Sequence, residues 1–241
     1  LFDMGQSDAF LYNASRMKID LYGVDFVVLS HGHYDHSGGF RHLLNASGTF
    51  RLYLGQGFFT EKYAVRNGCY DFLGNDFGEA FLKEKNVHYS FVTSDIQEII
   101  PGVYILTQFP RVHGDEQINP RFVLRKNGDF VEDPCDDEVL VALETRKGWV
   151  VLLGCSHPGM RKMLDAVRRK LGGSLYAVLG GTHLVEAKGA SLERSLDYLR
   201  DREIGVVGVS HCTGKEAVSR LRTRLEGRFF HNVTGSSLFL E

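Results

Sequence analysis

Apolar and polar positions along the chain alternate in short blocks with strand-like or helix-like periods. Val24-Asp25-Phe26-Val27-Val28-Leu29-Ser30 is β-branched and apolar before it turns polar, the pattern of a strand buried on both faces. Phe40, Leu43 and Leu44 share one helical face, which predicts a helix across Gly38–Ala46; another is expected over Asp8–Lys18. From Thr49 to Phe130, strands are expected at Phe50–Leu54, Val87–Val92 and Gly102–Thr107, separated by glycine-rich and charged loops. Glu138–Thr145 and Gly148–Leu153, with a turn at Arg146-Lys147-Gly148, read as a β-hairpin.

Beyond the hairpin the rhythm is regular. Met160, Met163, Leu164, Val167 and Leu171 recur at helical spacing, as do Leu192, Leu196 and Leu199, and then Val218, Leu221 and Leu225. Strands at Leu175–Leu179 and Gly205–Ser210 lie between these helices, and Thr213 with Glu216 three residues on reads as a capping box. No linker, low-complexity tract or charge block interrupts the chain, so residues 1–241 read as one α/β domain. The chain opens Leu1-Phe2-Asp3-Met4-Gly5, as if within a strand already under way, and residues preceding it are expected.

Composition then removes whole classes of function. With 43% hydrophobic and 24% charged residues the chain is not a disordered one. Lys and Arg number 28 against 30 Asp and Glu, so no basic excess points to nucleic acid. Apolar runs such as Val150–Leu153 are far too short to span a bilayer. Four irregularly spaced cysteines without a signal peptide favour a reducing, cytoplasmic setting. The partner expected is a small molecule rather than nucleic acid or membrane.

The chemistry is in the strand ends. Phe26–Ser30 ends in His31; Val150–Leu153 runs through Gly154-Cys155-Ser156 to His157; Tyr176–Leu179 runs through Gly180-Gly181-Thr182 to His183; Val206–Ser210 ends in His211. Ligands of α/β sheets sit at the carboxyl ends of strands, so four histidines there point to a shared metal site. The densest piece is His31-Gly32-His33-Tyr34-Asp35-His36, three imidazoles and a carboxylate within six residues. These are the ordinary ligands of a borderline divalent ion, and Gly32 lets the backbone turn so that alternate side chains reach different metals.

This string, followed by Gly38-Gly39, resembles the H-x-H-x-D-H signature of the metallo-β-lactamase superfamily, and the resemblance extends over nearly the whole chain. Gly154-Cys155-Ser156-His157, Gly180-Gly181-Thr182-His183-Leu184 and Ser210-His211-Cys212-Thr213-Gly214 narrow it to the branch resembling dihydropterin-(ribofuranosyl)aminobenzene phosphate synthase-like metal-dependent hydrolases. The resemblance implies a four-layer αββα sandwich with two divalent metals, zinc first and manganese or iron as alternatives. It also implies further N-terminal strands missing from the given chain, before the Phe2-Asp3 strand. It assigns His31 and His33 to one metal, Asp35, His36 and His211 to the other, and Asp3 to support of the metal loop from behind the ligands.

Two positions depart from the superfamily pattern. Cys155 stands where an Asp normally bridges the metals, and His113 is the one histidine near the place of a further ligand. His157 is the preferred ligand, Cys155 the next candidate, with packing the favoured role for Cys155. His183 reads equally as a substrate-contact or proton-transfer residue and as an ordinary hydrogen-bonded histidine; Arg111, a surface residue by default, is the first choice for an anionic substrate group, because a guanidinium can grip a phosphate with two bonds. Cys212, Lys62 and Tyr63 read as packing or surface residues, and His42, His88 and His231 carry no role. No Gly-x-Ser-x-Gly elbow supplies a serine nucleophile, so the expected reaction is attack by a metal-bound hydroxide on a phosphorylated small molecule, with Asp35 essential. A pterin-related synthase reaction is the branch's own alternative. The competing classes are a di-iron oxidoreductase on the same scaffold and a non-enzymatic metal-binding module.

Overall fold

The strand expected over Val24–Ser30 forms at its apolar centre, Phe26–Leu29, in the computed structural model, which describes residues 1–201 and 203–240. Numbered along the chain, the first elements are α1 (Ala9–Arg16), β1 (Phe26–Leu29), α2 (Tyr34–Ser37), α3 (Phe40–Leu43), β2 (Arg51–Gly55), β3 (Lys62–Arg66), β4 (Cys69–Phe72), α4 (Glu79–Glu84) and β5 (His88–Val92). Next come β6 (Ile96–Ile100), β7 (Val103–Leu106), β8 (Phe122–Lys126) and β9 (Asp129–Glu132). The regular half follows as β10 (Leu140–Thr145), β11 (Gly148–Leu153), α5 (Met160–Leu171), β12 (Leu175–Gly181), α6 (Gly189–Asp201), β13 (Val206–Ser210), α7 (Lys215–Leu225) and β14 (Phe229–His231). They form two compact units: Leu1–Thr93 with Asn119–Val139, and Ser94–Ile118 with the chain from Leu140 onward.

The first unit holds a parallel sheet ordered β1-β2-β5 and an antiparallel sheet ordered β4-β3-β8-β9. In the parallel sheet Val28 pairs with Tyr53 and Leu54 with Phe91. Val27, Leu29, Leu52, Leu54, Phe40 and Phe58 form its fully buried core. Of the helix expected across Gly38–Ala46 only α3, Phe40–Leu43, forms, and Gly38-Gly39 is a turn that separates it from α2. A Cβ on Gly38 would lie 2.4 Å from the Gln6 carbonyl oxygen, and one on Gly39 2.7 Å from that of Met4. The glycines therefore admit the N-terminal segment against the turn that carries His36.

This unit also contains a buried charged centre that the sequence does not announce. Lys62, read as a surface residue, is only 2% exposed. Its Nζ donates to Asp137 Oδ1 at 2.9 Å and to Asp133 Oδ2 at 3.3 Å, both carboxylates being buried as well. Burial lowers the pKa of the ammonium, but the two carboxylates outweigh this and push it above the ordinary lysine value. The other oxygen of Asp137 accepts the Gly32 amide at 2.8 Å, and Val139 N donates to Ser30 O at 2.7 Å. The 133–139 segment thus fixes the backbone on both sides of His31.

In the second unit a seven-stranded sheet is ordered β14-β13-β12-β11-β10-β7-β6. β11 to β14 run parallel, while β10, β7 and β6 are antiparallel, so the expected hairpin forms as β10–β11. Met163, Leu164 and Val167 of α5, Leu196 and Leu199 of α6 and Leu221 of α7 are all 0% exposed, which confirms the helical period read from the sequence. The capping box does not form. Gly214, at φ +79°, is the N-cap of α7, and the Thr213 hydroxyl is engaged 3.0 Å from that of Thr182. α5 is capped from a distance, by Glu116, whose carboxylate accepts the amides of Arg161 (2.9 Å) and Lys162 (3.1 Å). Among the described residues no helix is long and apolar enough to cross a membrane.

Two stability predictions come from these charged groups. Lys62→Met leaves two buried carboxylates uncompensated and should cost ~3–5 kcal/mol in denaturant unfolding. Adding Asp133→Asn and Asp137→Asn should recover part of that loss; equal stability of Lys62→Met and wild type would contradict the triad. Asp115 supplies the pH test. Burial raises its pKa, but bonds from Arg194 (2.8 Å) and Arg161 outweigh this and hold it at about 2. Because the folded value is depressed, the stabilisation is complete above the unfolded value of about 3.9 and disappears as pH falls toward 2. Asp115→Asn should therefore be less stable than wild type at pH 6, with the difference closing between about pH 4 and pH 2.

Candidate metal centre

The signature loop begins where β1 ends. Ser30, His31, His33 and His36 are all buried, and Asp35 lies in the first turn of α2. Asp3 stands behind them at φ +50°, a left-handed position that Asp tolerates better than most residues. Its Oδ1 accepts the Ser30 amide at 2.7 Å, and its Oδ2 accepts both the Ser30 hydroxyl (2.7 Å) and His36 Nδ1–H (2.6 Å).

These bonds determine the tautomers. With its own proton given to Asp3, the Ser30 oxygen can only accept from His31 Nδ1, 2.8 Å away. In their neutral forms His31 and His36 therefore carry the lone pair on Nε2. His31 Nε2 lies 3.0 Å from His33 Nδ1, and His36 Nε2 lies 3.7 Å from Asp35 Oδ2. Burial, reinforced by the Lys62 charge, lowers the pKa of His33 to about 3, so this imidazole is neutral. Neutral imidazoles with one nitrogen fixed by a carboxylate relay are the form in which histidine binds a metal. The donor set of this loop fits a divalent transition metal.

The second unit presents its own donors at the carboxyl ends of three adjacent parallel strands, β11, β12 and β13. Cys155 and His157 leave β11, His183 leaves β12, and His211 and Cys212 leave β13. Ser156, His183 and His211 all have positive φ, between 51° and 65°, so each exit turns sharply through the left-handed region. The Gly180-Gly181 pair makes room for this: a Cβ on Gly181 would meet the Gly154 carbonyl oxygen at 2.4 Å and Cys212 Sγ at 2.6 Å. Cys155 is the hub of the group. Its sulfur lies within 4.8 Å of a ligand atom of His157, of His211, and of both His183 and Cys212.

Cys212, read from the sequence as packing, has a polar setting instead. It receives the His183 amide at 3.3 Å, and its Sγ is 3.4 Å from the Cys155 carbonyl oxygen. His183 packs against the His157 ring at 4.3 Å between centroids, and its Nε2 meets Glu186 Oε2 at 3.1 Å. Burial opposes the charge on His183, but Cys212 and Glu186 prevail and raise its pKa to about 9. His113 is committed elsewhere, with Nε2 2.7 Å from Asp165 of α5. Arg111 is exposed on the loop after β7. Sequence reasoning missed Lys62, Asp133, Asp137 and Glu186; only the spacing of His183 and Glu186, three residues apart, was available as a signal.

Residues 1–56 match the family model of the metallo-β-lactamase superfamily. A Methanocaldococcus jannaschii protein named 7,8-dihydropterin-6-methyl-4-(β-D-ribofuranosyl)-aminobenzene-5′-phosphate synthase is 29% identical over 229 residues, covering 90% of this chain and 76% of that protein. Among solved structures, Tm1679, described as a metal-dependent hydrolase of the β-lactamase superfamily, superposes with a TM-score of 0.81 at 29% identity, covering 95% of this chain and 84% of its own. An isothiocyanate hydrolase from Delia radicum gut bacteria shares the fold at a TM-score of 0.53 and 15% identity, covering 92% of this chain and 79% of its own. In the match at its N-terminus, in its fold and in these relatives, the chain is similar to the metallo-β-lactamase superfamily.

Proposed function

We propose that the protein is a metal-dependent hydrolase that holds two divalent ions, zinc in the first instance, and acts on a phosphorylated small molecule. The observation that carries this reading is the buried signature loop, in which Asp3 and Ser30 fix the rings of His31 and His36 through their Nδ1 atoms and turn Nε2 toward the other loop donors. His31, His33, Asp35, His36, His157 and His211 are the proposed ligands, with Cys155 as a further donor. A bound pair of such ions supplies Lewis acidity and lowers the pKa of water to roughly 7.

The chain's own groups do the rest. Asp35 contributes the carboxylate of the loop and is a third exposed. His183, its ring held through Nε2 by Glu186, is the proton donor for a departing oxygen. Arg111 offers a guanidinium to an anionic part of the substrate. The same residues suit a pterin-related synthase reaction, the second reading, which the name of the M. jannaschii relative favours.

Elemental analysis of protein purified without chelator and supplemented with metal should find more than one transition metal per chain. A reproducible single ion would contradict the two-metal reading. Asp35→Asn removes a ligand charge at nearly constant volume, so it should abolish turnover of phosphoesters in a substrate panel while circular dichroism stays unchanged. Undiminished turnover in Asp35→Asn would defeat the mechanism. Product analysis with a dihydropterin and a phosphorylated aminobenzene riboside separates condensation from hydrolysis.

A further inference from the structure

A cleft of about 610 Å³ opens beside His211 in the second unit, between the start of α7 and the end of β14. Ser210, Lys215, Ser219, Arg222 and His231 line it, and among the described residues no carboxylate does. These five polar side chains have no hydrogen bond or ion pair within the protein among the described residues. The neighbouring cations of the same helix behave differently. Arg224 is bound by Glu193 (2.6 Å) and Asp197 (3.0 Å), and Arg220 by Glu193. α7 therefore neutralises its arginines on one face and leaves Lys215 and Arg222 uncompensated on the face that borders the cleft.

A cleft with hydroxyls, an ammonium, a guanidinium and an imidazole, all able to donate, suits a compact multivalent oxyanion. Arg takes two phosphate oxygens at once, Lys adds a point charge, and serine hydroxyls complete the shell. Neutral or cationic ligands would leave the two cations unpaired. We propose that this cleft is the seat of a phosphate monoester group, which it holds next to His211. The inference rests on the reading of a phosphorylated substrate and adds a second, denser anion site to Arg111. It also gives a role to His231, to which the sequence assigned none.

The test is calorimetric titration of the metal-loaded protein with inorganic phosphate, in wild type, in Lys215→Ala/Arg222→Ala and in Arg224→Ala, which removes like charge from the opposite face of α7. Affinity should fall at least tenfold in the double variant and stay within twofold of wild type in Arg224→Ala. An unchanged affinity in the double variant, or an equal loss in Arg224→Ala, would overturn the proposal. So would a single-stranded oligonucleotide that binds far more tightly than phosphate through the same two residues, since the cleft would then be part of a polyanion surface. KM values separate this inference from the proposed reaction. If phosphate binding needs Lys215 and Arg222 but no phosphoester is turned over, the seat stands and the reaction falls. If phosphoesters are turned over with a KM indifferent to both residues, the reaction stands and the seat falls.

Discussion

Taking three imidazoles of one six-residue loop out of water is the constraint on which the first unit is built. A buried polar group costs free energy unless its hydrogen bonds are met, and a buried imidazole without a fixed proton has no defined chemistry. Asp3 meets both demands at once by collecting the Ser30 amide, the Ser30 hydroxyl and His36 Nδ1–H. The position of Asp3 depends in turn on Gly38 and Gly39, which let residues 4–6 lie against the turn between α2 and α3. Glycine choice, helix break and tautomer are consequences of one packing problem.

A second support acts from the other side of the loop. Asp137 takes the Gly32 amide with one oxygen and Lys62 with the other, so the peptide between His31 and His33 is tied to an ion triad inside the protein. A Cβ on Gly32 would lie 2.2 Å from the Phe58 carbonyl oxygen and 3.1 Å from Lys62 Cε, and one on Gly55 1.8 Å from the Asp137 carbonyl oxygen. The approach is close enough that only glycine fits at either place. Two carboxylates against one ammonium satisfy the buried Lys62 charge and tie it to the loop.

The candidate donors stand out in the sequence because their types are rare in combination. A strand period followed by histidine recurs four times, and three of those histidines leave adjacent strands of one sheet. The helices of the second unit were equally legible, since their apolar positions bury a single stripe against that sheet. The 49–130 stretch was not. β4 and β9 are exposed along their length and show no alternation, and β3 carries the buried Lys62 where an apolar residue is expected. Lys62 has meaning only with Asp133 and Asp137, 71 and 75 residues away, a separation that no local pattern reports. Cys212 escaped for a similar reason: its polar setting is made by the backbone of His183 and Cys155, not by its own sequence neighbours.

The central claim is that the imidazoles held by Asp3 and Ser30 are the proposed metal seat. X-ray absorption at the zinc edge of the zinc-loaded protein tests it directly. The account predicts a first shell dominated by nitrogen and oxygen at about 2.0–2.1 Å, with the outer-shell signature of several imidazoles. A shell dominated by sulfur at about 2.3 Å would move the metal to the cysteines and contradict it.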